Sequence, residues 1–337
     1  METDMACIAA LVLAAFGLMV WTGNSALAQS SHPTPLDQAV AIAATPQLVW
    51  LDTDIGDDID DAFALALILR SPELKLVGIS TAFGDSELRA RLVDRFLSAS
   101  EAPSGIPVSA GIPTQTDNPM TQAAYALRSP DKAHPDGVAA LLTAIRAHPG
   151  QLTLIAIGPL ENIGAAIDRD PATFRQLRRV VMMGGSISRG YDDSKTGTRR
   201  PPDAEWNINR DPKDAQQLME AGVPIYMMPL DSTQIHFAAA GRNRLFAAGT
   251  PLTDQVTLLY HQWAEGSGNL DPTLFDPVAV TAAFRPDLCP ATPMHIAVDD
   301  KGFTLVVPGT PNVQVCLESD EKAFLTLLQD RLSGAKH

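Results

Sequence analysis

The chain predicts an α/β fold: an open, mainly parallel sheet with helices on both faces. Three observations carry that prediction. Strand-like and helix-like segments alternate along most of its 337 residues. The strand-like segments are apolar throughout rather than on every second residue, as in strands buried on both faces. An acidic turn joins the first strand to the first helix, in a position where sheets of this kind place their ligands.

The first strand reads Leu48-Val49-Trp50-Leu51 and the first helix Ala62–Leu69. Between them, Asp52–Asp61 holds six aspartates, and the first Lys or Arg of the whole chain is Arg70. Two aspartates would suffice to cap a helix and complement its dipole. Six repel one another and cost several kcal/mol each or more if buried unpaired. A hard divalent cation with oxygen ligands, Ca²⁺ or Mg²⁺, relieves both costs.

Leu74–Thr81 reads as the second strand, and Glu87–Ser100 as a helix with Asp94 and Arg95 on its solvated face. Residues 101–135 are rich in Pro, Ser and Gly, with a strand start at Pro107-Val108, and so long a segment suggests a functional loop. Helices follow at Gly137–Ala147, Leu160–Asp168 and Asp211–Ala221, with strands at Gln151–Ile157, Val180–Met183 and Val223–Met228. Residues 186–203 form a polar loop, 251–264 and 276–284 read as helical, 295–307 and 313–317 as strands, and Glu321–Leu332 as an amphipathic helix. The sheet is thus Rossmann-like, with its ligand crevice at the tips after Leu51, Thr81, Ile157 and Met183.

Composition is that of a globular protein, 45% hydrophobic and 19% charged, with a formal charge of −14. No basic tract is interleaved with aromatics, which argues against nucleic acid and anionic membranes as partners. Residues 6–28 carry an apolar stretch ending in Ala26-Leu27-Ala28, so 1–28 reads as an export signal and 29–46 as a loose leader before a single domain, 47–337. The chain is then expected to be periplasmic or secreted, free of the membrane once the signal is removed. A retained anchor is the alternative, and the acidic Glu2 and Asp4 are atypical of a signal. Cys289 and Cys316 either pair or remain two buried thiols.

At the strand tips stand Asp54–Asp61, Asp85, Ile157-Gly158-Pro159 and Met183-Gly184-Gly185, followed later by Glu205-Trp206-Asn207 and Phe275-Asp276-Pro277. Asp52-Thr53-Asp54 with Asp60-Asp61, the Gly158–Asn162 segment, Met-Gly-Gly, and Glu-x-Asn before Asp211-Pro212 occur in one order. Together they resemble the nucleoside hydrolases, the inosine–uridine-preferring enzymes and their relatives, over about residues 47–330. The haloacid-dehalogenase-like phosphatases share the Asp-x-Asp start, but they need Thr or Val where Gly56 stands.

The resemblance implies hydrolysis of the N-glycosidic bond of ribonucleosides to base and ribose, with Ca²⁺ as cofactor. It implies that Asp54 is both a metal ligand and the base that accepts a proton from the attacking water. Asp61, the carbonyl of Ile157 and Asp276 would complete the metal site. Asp60, Glu205 and Asn207 would hold the ribose hydroxyls, with Met183 lining the sugar pocket. A homo-oligomer, dimer or tetramer, is also implied. A carboxylate floor suits such a reaction, because the sugar gains oxocarbenium character as the bond breaks.

The departures are informative. The acidic turn is two residues longer than the short family version, which leaves Asp58 without an assigned role. Asp85 stands where several members carry Asn beside the sugar. Phe275 stands where a His assists the leaving base, and these two changes lean towards purine substrates. Trp206, Tyr260 and Trp263 are candidate stacking partners or core. His134 is either near the site or on the surface. From residue types alone, Asp276-Pro277 reads first as a helix N-cap followed by Pro in the first turn. A non-catalytic calcium- or sugar-binding protein on the same scaffold is the competing function.

Overall fold

The computed structural model describes residues 45–192 and 197–334. The predicted signal 1–28 and most of the leader 29–46 lie outside the described residues. No helix among the described residues is long and apolar enough to cross a membrane.

The first half of the chain runs β1 (Gln47–Thr53), α1 (Asp60–Leu69), β2 (Leu74–Thr81), α2 (Ser86–Ala99), β3 (Val108–Ala110), α3 (Ala123–Ala126) and α4 (Gly137–Ala147). It continues through β4 (Thr153–Ala156), α5 (Glu161–Arg169), α6 (Pro171–Phe174) and β5 (Arg179–Met183). Next come α7 (Trp206–Arg210), α8 (Pro212–Glu220), β6 (Ile225–Met228), α9 (Leu230–Thr233), α10 (Ala239–Phe246), α11 (Pro251–Ser267) and α12 (Phe275–Thr281). The chain ends with β7 (Ala291–Met294), β8 (Ile296–Val298), β9 (Thr304–Val306), β10 (Val313–Cys316) and α13 (Glu321–Ser333).

Eight strands form one sheet in the order β3-β2-β1-β4-β5-β6-β10-β7. Every pairing is parallel except β10 with β7. The strand order reverses between β1 and β4, so a crevice opens beyond their carboxyl ends. Both faces are covered, which explains the unbroken apolar runs. Val49 and Leu51 belong to one core cluster with Phe63, Val93 and Val278, while Trp50 points into the other with Leu141, Ile163 and Leu218. Val181 and Met183 divide from Val180 and Met182 in the same way. The α1 helix is buried on all sides from Asp60 to Ile68, so its N-terminal acids have no route to bulk solvent on the core side.

Four expectations need correction. Residues 295–307 are not one strand: Asp299–Gly302 turns the chain back, and β8 pairs antiparallel with β9. Asp94 and Arg95 are not a purely solvated face. Asp94 accepts from His134 Nε2 (3.0 Å) and pairs with Lys132 (2.6 Å), and Arg95 lies 4.1 Å over the Tyr125 ring. Both residues therefore pin the long 101–135 segment to α2. His134, whose side chain is 1% exposed, is part of this clamp through Glu87 (2.7 Å). Asp276 is not a helix cap, since it sits one residue inside α12 with Leu274 at the cap position.

Candidate active site

The turn after β1 is shaped by its own residues. Thr53 Oγ1 donates to Asp61 Oδ1 and accepts from the Ile55 N–H (3.1 Å), and Gly56 takes a φ of +129°, a conformation that favours glycine. Asp60 and Asp61 thereby open α1, where the helix dipole favours negative charge. The start of α12 packs against them, and the Asp276 N–H donates to Asp60 Oδ2 at 3.2 Å across 216 residues of sequence. Carboxylate oxygens of Asp60, Asp61 and Asp276 lie within 4.8 Å of one another, all three side chains buried. Asp54 stands beside this trio and against Gly158, where a Cβ would come within 2.9 Å of the Asp54 nitrogen. Glycine at that position lets the tip of β4, with the Ile157 carbonyl, close on Asp54.

A cavity of about 530 Å³ opens above these acids. Asp54, Asp57, Asp58, Asp60, Asp61 and Asp276 line its floor, together with Ile157 and Met183. Glu205 and Asn207 form one side. Glu205 caps α7 through the N–H groups of Asn207 (3.0 Å) and Ile208 (3.2 Å) and also accepts from the Gly185 N–H (3.0 Å). Asn207 Nδ2 donates to the Met183 carbonyl (3.1 Å). The upper walls are Tyr191, Trp206, Phe275 and the Asn118–Pro119 turn.

The floor is electrostatically frustrated. Burial lifts the Asp54 carboxyl to about 7, with Asp57 and Asp58 adding to the rise and Arg89 opposing it. Burial and then the neighbouring aspartates hold Asp60, Asp61 and Asp276 well above the usual carboxylate range. Among the described residues, Arg89 to Asp57 (2.5 Å) is the single Lys or Arg ion pair made by these acids. Asp57 Oδ1 is buried without a hydrogen-bond partner. An all-oxygen, surplus-negative donor set of this kind fits a hard divalent cation. Asp60, expected at the ribose, lies in the close carboxylate trio with Asp61 and Asp276.

Nearly all the sequence-predicted residues converge here: Asp54, Asp60, Asp61, Ile157, Met183, Glu205, Asn207, Phe275 and Asp276. Asp85 does not. Its exposed side chain turns outward to accept from the Leu88 N–H (2.9 Å) as the N-cap of α2, and it lines a neighbouring hollow instead. Of the three stacking candidates only Trp206 reaches the cavity, while Tyr260 and Trp263 are core residues on the buried face of α11. Tyr191 was not legible in the polar 186–203 loop. Its ring meets Phe275 edge-on (6.2 Å), and its hydroxyl accepts from the Trp206 N–H (3.0 Å). Arg89 was also missed, although a signal existed: it falls on the apolar stripe of α2 with Leu92, Val93 and Phe96, where a charge needs a buried partner.

Fold and cavity define an α/β protein with an acidic, cation-suited site at the carboxyl ends of its central strands. The inosine-uridine preferring nucleoside hydrolase family model matches residues 49–326, and the chain belongs to that family. Among curated relatives, the pyrimidine-specific ribonucleoside hydrolase RihA of Salmonella enteritidis PT4 is 30% identical over 317 residues, covering 84% of this chain and 97% of that protein. Among solved structures, the plant nucleoside hydrolase PpNRh1 superposes with a TM-score of 0.73 at 24% identity, over 86% of this chain and 99% of that one. A purine-preferring ribonucleoside hydrolase from Gardnerella vaginalis gives 0.71 at 23%, over 86% and 98%. The two superpositions agree on the fold. The chain is a nucleoside hydrolase, a glycosidase acting on N-glycosyl compounds.

Proposed function

We propose that this enzyme is a Ca²⁺-dependent ribonucleoside hydrolase that prefers purine ribonucleosides. The observation that carries the cation is the buried trio Asp60, Asp61 and Asp276, supplied by two helices distant in sequence. Asp54, Asp61, Asp276 and the Ile157 carbonyl would hold it, with Asp60 beside them at the ribose hydroxyls. Bound there, Ca²⁺ would make a water more acidic and fix vicinal sugar hydroxyls. Asp54 would accept the proton of the attacking water. Glu205 and Asn207 orient the ribose against Met183, and the carboxylate floor stabilises the sugar's developing positive charge more than its ground state. The base departs between Tyr191, Trp206 and Phe275. Among the described residues no histidine lines the cavity, so stacking is left to bind the base, and a two-ring purine gains more from it.

The pyrimidine-specific name of the RihA relative supports the opposite base preference. Assaying inosine, adenosine, uridine and cytidine for release of free base decides between them. Purine preference requires a higher kcat/KM on the first two, with activity lost to a chelator and restored by Ca²⁺. Release from none of the four by cation-loaded protein would instead support a binding protein on this scaffold.

The proposal extends to export and assembly. The signal-like residues 1–28 and the Cys289–Cys316 disulfide both suit an oxidising compartment. Cell fractionation with N-terminal sequencing of the mature chain tests export. Light scattering tests the dimer or tetramer that the family resemblance implies.

A further inference from the structure

We propose that Arg89 is a positioning residue for the cation site, a clamp that holds the lengthened acidic turn in its binding geometry; this rests on the cation reading above. Arg89 is 2% exposed. Its guanidinium spans two strand tips: Nη1 donates to the carbonyls of Asp54 and Ile55 (3.0 Å to the latter), Nη2 to Asp57 Oδ2 (2.5 Å), and Nε to the carbonyl of Phe83 (2.8 Å). Two of the four acceptors lie on or beside Asp54.

The second tip shows what the clamp holds in place. Phe83 is a non-glycine residue with a φ of +62°. Such a conformation persists only where its surroundings over-determine it. Here Glu161 accepts the Phe83 N–H while Arg89 takes its carbonyl. The Phe83 ring in turn meets Trp206 edge-on (5.7 Å), next to Glu205 and Asn207. One side chain therefore ties the acidic turn to the second tip and, through Phe83, to the sugar side of the cavity. It also accounts for one of the extra acids of the longer turn: Asp57 is the counter-ion of the clamp, which leaves Asp58 as the added acid without a basic partner among the described residues.

Charge and geometry predict opposite signs, and this makes the clamp testable. A guanidinium close to a cation repels it, so removing the charge alone tightens cation binding. Removing the clamp frees the turn and weakens binding. Lysine keeps the charge but cannot span four acceptors in a fixed plane. The experiment is calorimetric titration of the full-length protein with Ca²⁺, which needs no turnover. Arg89→Lys and Arg89→Gln are each expected to bind at least tenfold more weakly than the wild type, and Asp57→Asn, which keeps the three carbonyl bonds, within about fivefold of it. Tighter binding by Arg89→Gln, or wild-type binding by Arg89→Lys, overturns the clamp. If both Arg89 variants fail to fold, the Arg89 Nε–H resonance of the wild type decides. A slowly exchanging signal without Ca²⁺ and unchanged on its addition supports a preformed clamp, and a fast-exchanging one overturns it. Failure of the wild type to take up Ca²⁺ removes the cation reading itself, whereas uptake by wild type and Arg89→Lys alike removes only the clamp.

Discussion

Asp54 stands beside, not within, the close trio of Asp60, Asp61 and Asp276 on the cavity floor. Under the proposed mechanism Asp54 would touch the cation and accept the proton, while Asp61 and Asp276 would carry most of the cation's binding. Asp54→Asn is expected to keep Ca²⁺ affinity within an order of magnitude and to lower kcat by at least about a hundredfold, the usual contribution of a general base. Parallel calorimetry and kinetics check it. Burial also fixes a pH dependence. The folded-state value of Asp54 is raised from 3.8 to about 7, and those of the trio are also held well above the ordinary range. Raised carboxyls stabilise the cation-free fold fully below the unfolded value. That contribution is lost as the pH climbs from about 4 through about 7 and beyond. The melting temperature in chelator is therefore expected to fall over that window, and added Ca²⁺, which needs the ionised forms, to reverse the loss and release protons on binding. At this scale the aspartates were legible because their crowding is a local fact of the sequence. Tyr191 was not, since nothing in a polar loop shows which side chain folds inward.

At the scale of single elements, α2 does two jobs that its sequence separates poorly. Its stripe carries Arg89 inward, while its cap, Asp85, faces solvent. Asp85→Ala is expected to cost about 1 kcal/mol, the usual worth of an Asp cap, and to leave KM for inosine within twofold. A tenfold rise in KM would return Asp85 to the sugar. Periodicity located β2 and α4 at their observed bounds, Leu74–Thr81 and Gly137–Ala147, because each is long and strongly patterned. It failed at α7, five residues whose helical start depends on the Glu205 carboxylate reaching two N–H groups. The β8–β9 hairpin was hidden for a related reason: its turn at Asp299–Gly302 interrupts an otherwise strand-like composition.

For the molecule as a whole, the doubly covered parallel sheet followed from the apolar strands, and the site at its carboxyl ends followed from topology. The contact between α1 and α12 did not, because no local pattern records which helix packs on which. The edge of the sheet carries the Cys289–Cys316 disulfide, closing 27 residues around β7 and β10. By chain entropy such a link is worth about 3–4 kcal/mol. Replacing both cysteines with serine is expected to lower the melting temperature by at least about 5 °C and to leave kcat unchanged within twofold, since neither cysteine lines the cavity. Unchanged melting would mean the unfolded chain is already constrained there. The meeting of Asp60 with Asp276 has a last consequence, for synthesis. A chain still emerging from the ribosome already exposes the aspartate-rich turn but lacks the partner that arrives with α12. Dissolved metal is expected to gain no firm hold on such an unfinished chain, and a molecule clipped ahead of that helix to forfeit whatever protection an ion would confer.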